Sequence, residues 1–308
     1  MKDHNIFRTS IGGQALIEGI LMRGPRKTCT VVRRPGGELV YKEESYSTRT
    51  GVCAWPFIRG VVRLYDSLSG GIRALTYSSE IAFDGIEEEE EEDWLTRKLG
   101  QKRANEIATG IALFFGCAIP IALFILLPTL LAGLLDGVIG SGFARNLLEG
   151  LFRILIFLGF LFCVSRMKDI KRTFMYHGAE HKTIHCYEHS LPLTVENVRQ
   201  FPKEHPRCGT SFLFVVMIIS ILVFSFVNWS NPFLRMLLRL LLLPVVISLS
   251  YEANLFVGRH DNALTKLLRA PGLLMQKFTT FEPDAGMIEV AIAALERVIP
   301  ENEGEDRW

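Results

Sequence analysis

The chain has 308 residues, 34 of them Lys or Arg against 33 Asp or Glu, and 49% are hydrophobic. A mean hydropathy of +0.24 with 21 phenylalanines is too apolar for a disordered chain and too uneven for one soluble globule. The net charge of +1 excludes a global field aimed at nucleic acid, so no nucleic-acid partner is expected, and six scattered cysteines without a CxxC pair argue against a disulfide scaffold.

Residues 1–86 read as a small cytoplasmic α+β domain. The glycine-rich stretch from Gly12 to Pro25 is a candidate motif: it carries Gln14 and Glu18 on one face whether helix or strand, with Arg23 as the carboxylate's bland partner. It does not end in Gly-Lys-Ser/Thr, so it is no Walker loop. Thr28–Arg34 and Glu38–Lys42, joined through Pro35-Gly-Gly, predict a β-hairpin. From Trp55 the period changes: Ile58, Val61, Tyr65, Leu68, Ile72 and Leu75 form one apolar helical face, suited to packing on the hairpin, a membrane or a subunit. Seven consecutive acidic residues, Glu87–Asp93, open a solvated linker over 87–105.

Residues 106–252 predict an α-helical membrane protein with four transmembrane helices in two hairpins. Between Glu106 and Asp136 lie 29 uncharged residues, about 43 Å as a helix, interrupted by Pro120 and Pro128, where a kink or break is expected. Leu147–Ser165, Cys208–Leu234 and Arg235–Tyr251 supply the other spans; Glu149 and Arg153, four apart in the second, can neutralise each other. The segment 166–207 carries eight basic residues, whereas the turns 136–146 and 228–234 contain only Arg145. By the positive-inside rule, both termini and the histidine-rich loop 166–211 face the cytoplasm. In the cytoplasmic C-terminal segment 253–308, Pro271-Gly marks a break, Asp284–Val298 an amphipathic helix and Glu301–Trp308 a frayed tail.

Five of the seven histidines fall within 177–205. On a helix His177, His181 and His185 form one stripe, and neutral imidazoles four apart offer two metal ligands. His177-x-x-Glu180-His181 matches the H-x-x-E-H pattern of inverted zincins, in which the carboxylate activates water. Zinc is the expected metal, with a third ligand drawn from His185, Glu188, His205, Cys208 or Glu252. A second metal reading pairs His181-x3-His185 with His205-x2-Cys208 as a structural zinc knuckle; without a metal the histidines simply pack.

Gly12-Gly-Gln-Ala…Glu18-Gly…Met22-Arg-Gly-Pro, Tyr176-His-Gly-Ala-Glu-His-Lys, His205-Pro-Arg-Cys-Gly-Thr210, Ser250-Tyr-Glu252 and Pro271-Gly-Leu…Gln276…Thr279-Thr-x-Glu-Pro283 together resemble the bacterial YqhQ family. That family is a domain-of-unknown-function group labelled predicted metal-dependent enzymes. The resemblance implies a bacterial cytoplasmic-membrane protein and marks His177, Glu180, His181, His205, Cys208, Glu252, Gln14, Glu18 and Arg23 as motif residues. The expectation is a membrane-embedded metal-dependent hydrolase at the cytoplasmic face, in contact with the bilayer and forming a homo-oligomer. The alternative is an oligomeric channel, transporter or scaffold in which the His/Cys cluster is structural.

Overall fold

A computed structural model describes residues 7–47, 49–85, 100–135, 142–226, 232–260, 262–302 and 304–307. The acidic run Glu87–Asp93 lies outside the described residues. The chain divides into two compact units, one of Met1–Asp84, Leu161–Ser220 and Met236–Trp308, the other of Gly85–Phe160 and Ile221–Arg235.

The first unit is built on a four-stranded antiparallel sheet in sequence order: β1 (Gly12–Leu16), β2 (Gly19–Arg23), β3 (Lys27–Arg33) and β4 (Leu39–Ser45). The expected hairpin is β3–β4, with Gly37 at φ 88° in its turn. The glycine-rich motif adds a second hairpin, Leu16 opposite Gly19. Glu18 sits in its turn at φ 49°, so it does not share a strand face with Gln14. In β3, Cys29–Val32 are buried without alternation, the signature of a strand covered on both faces. A core of Ile20, Met22, Cys29 and Val31 joins α5 (Lys168–Glu188) through Tyr176, Ala179 and Ile184 and α10 (Ala285–Glu296) through Met287, Ile288 and Ala291.

Helix α1 (Ile58–Ala82) also meets the sheet, but not through its apolar stripe, so of the three surfaces that stripe could suit, the hairpin is excluded. Its small residues Gly60, Gly71, Ala74, Ser78 and Ala82 are buried, while Tyr65 and Ile72 of the apolar stripe are each 65% exposed. Close approach explains the inversion: a Cβ on Gly60 would lie 2.9 Å from Tyr251 Cβ. Two further expectations fail for identifiable reasons. Helix α9 (Ala263–Thr279) runs through Pro271, launched by a capping box of Asn262 and Thr265, so Pro271-Gly is no break. The C-terminal tail is not frayed: Arg307 pairs with Thr9, whose hydroxyl donates to buried Asp306 at 2.6 Å. Asp284 caps α10 by accepting from the Met287 N–H, as its position predicts.

The second unit holds α2 (Gln101–Ile121), a π-helical turn (Ala122–Leu126), α3 (Leu127–Leu134) and most of α4 (Gly142–Val164). The interruption expected between the two prolines takes the form of this π turn. Pro128 cannot donate to the carbonyl four residues earlier, Phe124, and Arg153 Nε donates to that oxygen at 2.9 Å. Arg153 also pairs with buried Glu149 at 3.1 Å, as their spacing anticipates. Three helical stretches are long and apolar enough to cross a membrane: Phe114–Leu134, Phe143–Val164 and Met236–Arg259, the last within α8 (Pro232–Arg259). Phe212–Ser225, in α7 (Gly209–Ser225), is also apolar but shorter.

Candidate metal centre

Helix α5 carries the histidine stripe along the first unit, and the loop after the short helix α6 (Val195–Arg199) brings His205 and Cys208 back over it. The result is not one cluster but two adjacent sets: His177, His181 and Cys208, then His185, Glu188 and His205, the donor atoms of each set lying within 4.8 Å of one another. The rings of His177 and His181 are in contact, with 4.3 Å between their centroids, and His205 packs on both His181 and His185.

In the first set both imidazoles are oriented by backbone. His177 Nδ1 faces the Thr279 carbonyl at 2.8 Å and His181 Nδ1 faces the Lys203 carbonyl at 2.6 Å. A carbonyl only accepts, so each Nδ1 carries a proton and Nε2 is the nitrogen left to face Cys208, the arrangement that metal-ligating histidines require once Nε2 is deprotonated. His177 Nε2 lies 3.2 Å from Cys208 Sγ. Burial alone raises a thiol, but His181 and His177 overcome it and hold Cys208 well below its ordinary value. Burial likewise opposes charge on His177, yet the Cys208 thiolate wins and raises the imidazole to about 9. The pocket is therefore built to hold one positive charge beside a thiolate. A proton shared with His177 can fill that role, and the N, N, S donor set suits zinc equally well.

The second set is saturated by hydrogen bonds. Glu188 accepts from Thr9 N at 2.9 Å, from Arg207 Nη2, and from His205 Nε2 at 3.4 Å. His205 Nδ1 accepts from Arg207 N at 3.3 Å, and Gln276 clamps the His205 backbone by giving and taking one bond. His185 Nε2 donates to the Glu204 carbonyl at 2.9 Å, and burial pushes it down to about 4, so it stays neutral. These residues fix the loop that delivers Cys208.

Glu180 is buried between the first set and the sheet, where its Oε1 accepts from Gly13 N at 2.9 Å. Burial raises its carboxyl above the usual range against the pull of His181 and His177. This bond joins the glycine-rich motif to the histidine motif, a link that sequence order hides. A Cβ on Gly13 would sit 3.0 Å from Glu180 Cδ and 2.7 Å from the Leu21 carbonyl, which explains the glycine. Gly178 fills the same role across α5, because a Cβ there would lie 2.1 Å from the Phe281 carbonyl.

His177, Glu180, His181 and Cys208 open onto a cavity of about 1170 Å³ that Gln14 and Arg23 also line. Two other expectations change. Glu18 pairs with Arg172 and takes a bond from Tyr176 OH at 3.2 Å, not with Arg23, because its turn conformation aims it at α5. Glu252 joins neither donor set: Arg59 grips it with Nε and Nη2, and Phe57 N adds a third bond. It fastens α1 to α8 rather than completing the histidine site.

A fold of this kind, with a histidine–cysteine pocket beside apolar helices, meets a matching group among known sequences. Residues 55–301 match the family described as "Protein of unknown function (DUF1385)". The chain is 32% identical over 295 residues to the "Uncharacterized protein YqhQ" of Bacillus subtilis (strain 168), covering 94% of this chain and 92% of that one. The chain belongs to this YqhQ family. No solved structure matches it.

Proposed function

We propose that the protein is a membrane-embedded, metal-dependent hydrolase with its site at the cytoplasmic face. The observation that supports this most is the pair of Nδ1 bonds to the Thr279 and Lys203 carbonyls, which leave the two Nε2 atoms to face the Cys208 sulfur at the head of a cavity, where a metal would displace the proton held there. His177, His181 and Cys208 would hold zinc, whose chemistry when bound is Lewis-acid polarisation of the substrate. Glu180, fixed by Gly13 and adjoining both imidazoles, takes a proton from the attacking water and returns it to the leaving group as water adds across the scissile bond. Burial raises its carboxyl, which favours its holding the proton between the two transfers. In this reading four helices cross the membrane, Phe212–Ser225 forming part of the third span, and positive-inside orientation places the cavity in the cytoplasm.

Metal content per chain, measured by mass spectrometry on detergent-purified protein, tests the reading. We expect about one zinc per chain, lost in His177→Ala, His181→Ala and Cys208→Ala but retained in Glu180→Gln and Glu252→Gln. Protein that is folded, free of metal and unable to take up zinc would refute it.

A further inference from the structure

The cavity below the first donor set has a charge that the metal reading does not use. Six basic side chains lie on its wall. Three are neutralised: Arg49 by Asp66, Lys42 by Glu44 and Arg207 by Glu188. The other three, Arg23, Arg63 and Arg73, make no ion pair among the described residues. The Arg23 guanidinium carbon sits over the Tyr46 ring, 4.4 Å from its centroid, a contact that steadies the side chain. Arg73 is braced by a bond to Ser69 Oγ at 2.8 Å. Neither restraint removes charge. Hydroxyls of Thr30 and Ser69 add neutral donors to the same wall.

We propose that this cavity binds a phosphoryl-bearing substrate, with Arg23, Arg63 and Arg73 holding the phosphate while the group to be cleaved faces His177, His181 and Cys208. A single carboxylate would leave two of the three guanidinium charges uncompensated. A phosphate monoester dianion comes nearest to balancing them, and its oxygens accept the paired N–H edges that arginine presents. The two sources of this chemistry are a soluble phosphate ester and the headgroup of an anionic lipid. Calling the ligand a substrate rests on the hydrolase reading; the anion site itself does not.

The probe is glycerol 3-phosphate, titrated calorimetrically into the full chain in phosphatidylcholine nanodiscs, with glycerol as the uncharged control. Saturable binding of glycerol 3-phosphate and none of glycerol is expected. Arg63→Gln and Arg23→Gln should each weaken it at least tenfold, and Arg63→Lys should restore part of it. Unchanged melting temperature and zinc content in these variants certify the fold. The His177→Ala/His181→Ala protein separates the two readings: arginine-dependent binding that survives there upholds the anion site whatever the fate of the metal. Zinc-loaded wild type that ignores glycerol 3-phosphate, or Gln variants that bind as well as wild type, would overturn the phosphate inference and leave the metal reading standing. Adding phosphatidic acid to the nanodiscs assigns the source: competition with glycerol 3-phosphate upholds the site as one for a lipid headgroup, and unaltered binding upholds it as one for a soluble ester.

Discussion

At the scale of single residues, the two donor sets differ in what their nitrogens are free to do, and this difference separates ligand from scaffold. The spacing of His177, His181 and His185 was readable in the sequence because helical periodicity fixes it. The division after His181 was not, because it depends on main-chain carbonyls of Lys203, Glu204 and Thr279, and any residue type supplies a carbonyl. Glu252 misled for a related reason: an expected shared membrane face does not imply adjacency, and nothing in the local pattern announces Arg59 as its partner. The neutral histidines of the second set carry a pH signature. His185 has a value of about 4 in the folded protein against 6.5 for the free side chain, and His205 is shifted in the same direction by burial. Between those limits the unfolded chain binds a proton that the folded chain refuses. Stability is fully present above pH 6.5 and falls as pH drops toward 4, by on the order of 3 kcal/mol for His185. Thermal melts in detergent across this window should show the decline. His185→Gln, which keeps a donor for Glu204 but cannot titrate, should flatten it.

At the scale of elements, α5 is held at its working distance by a residue that has no side chain. Gly178 lets the helix approach Phe281 just beyond α9, whose last residue, Thr279, orients His177 through its carbonyl. Gly178→Ala should cost about 1–3 kcal/mol through the backbone it would strike and should loosen His177 with it. Gly159→Ala in α4, where a Cβ would meet nothing within 4 Å, is the matched control and should not destabilise the protein. Melting temperature and retained zinc, measured on both variants, check the pair. Helix α1 shows how periodicity can be right about an element and silent about its facing. The large apolar residues define the stripe that a sequence reveals, but Gly60, Gly71, Ala74 and Ser78 define the side that packs, since small residues admit a neighbouring backbone. Pro271 was similarly opaque: a proline's effect depends on whether the helix around it is otherwise well started, and Asn262 with Thr265 starts this one.

At the scale of the molecule, the coarse order was legible: a small sheet-bearing segment, apolar helices, then amphipathic helices. Hydropathy and strand alternation survive without tertiary context. The joining of Gly13 to Glu180 across 167 residues was not legible, because two motifs in one sequence carry no record of their distance in space. The proposed sidedness makes its own demand. Cys53, partly exposed at the entrance to α1, and the histidine-bearing loop must lie on one side of the membrane. A membrane-impermeant maleimide should label Cys53 in inverted vesicles and leave it unlabelled in right-side-out ones. Labelling from the outer side would reverse the proposed orientation.

The clasp between Thr9 and Asp306 has a consequence for how such a chain comes into being. The pocket draws on Gly13, then on residues 177–208 and then on Thr279, with apolar helices interleaved between them. A ribosome delivers these pieces in that order, so the early strands must wait, unsealed, while the intervening helices are placed. Closure of the pocket thus waits for Thr279 to be synthesised, and a chain released before it would own every histidine of the stripe and still lack the carbonyl that points the first of them.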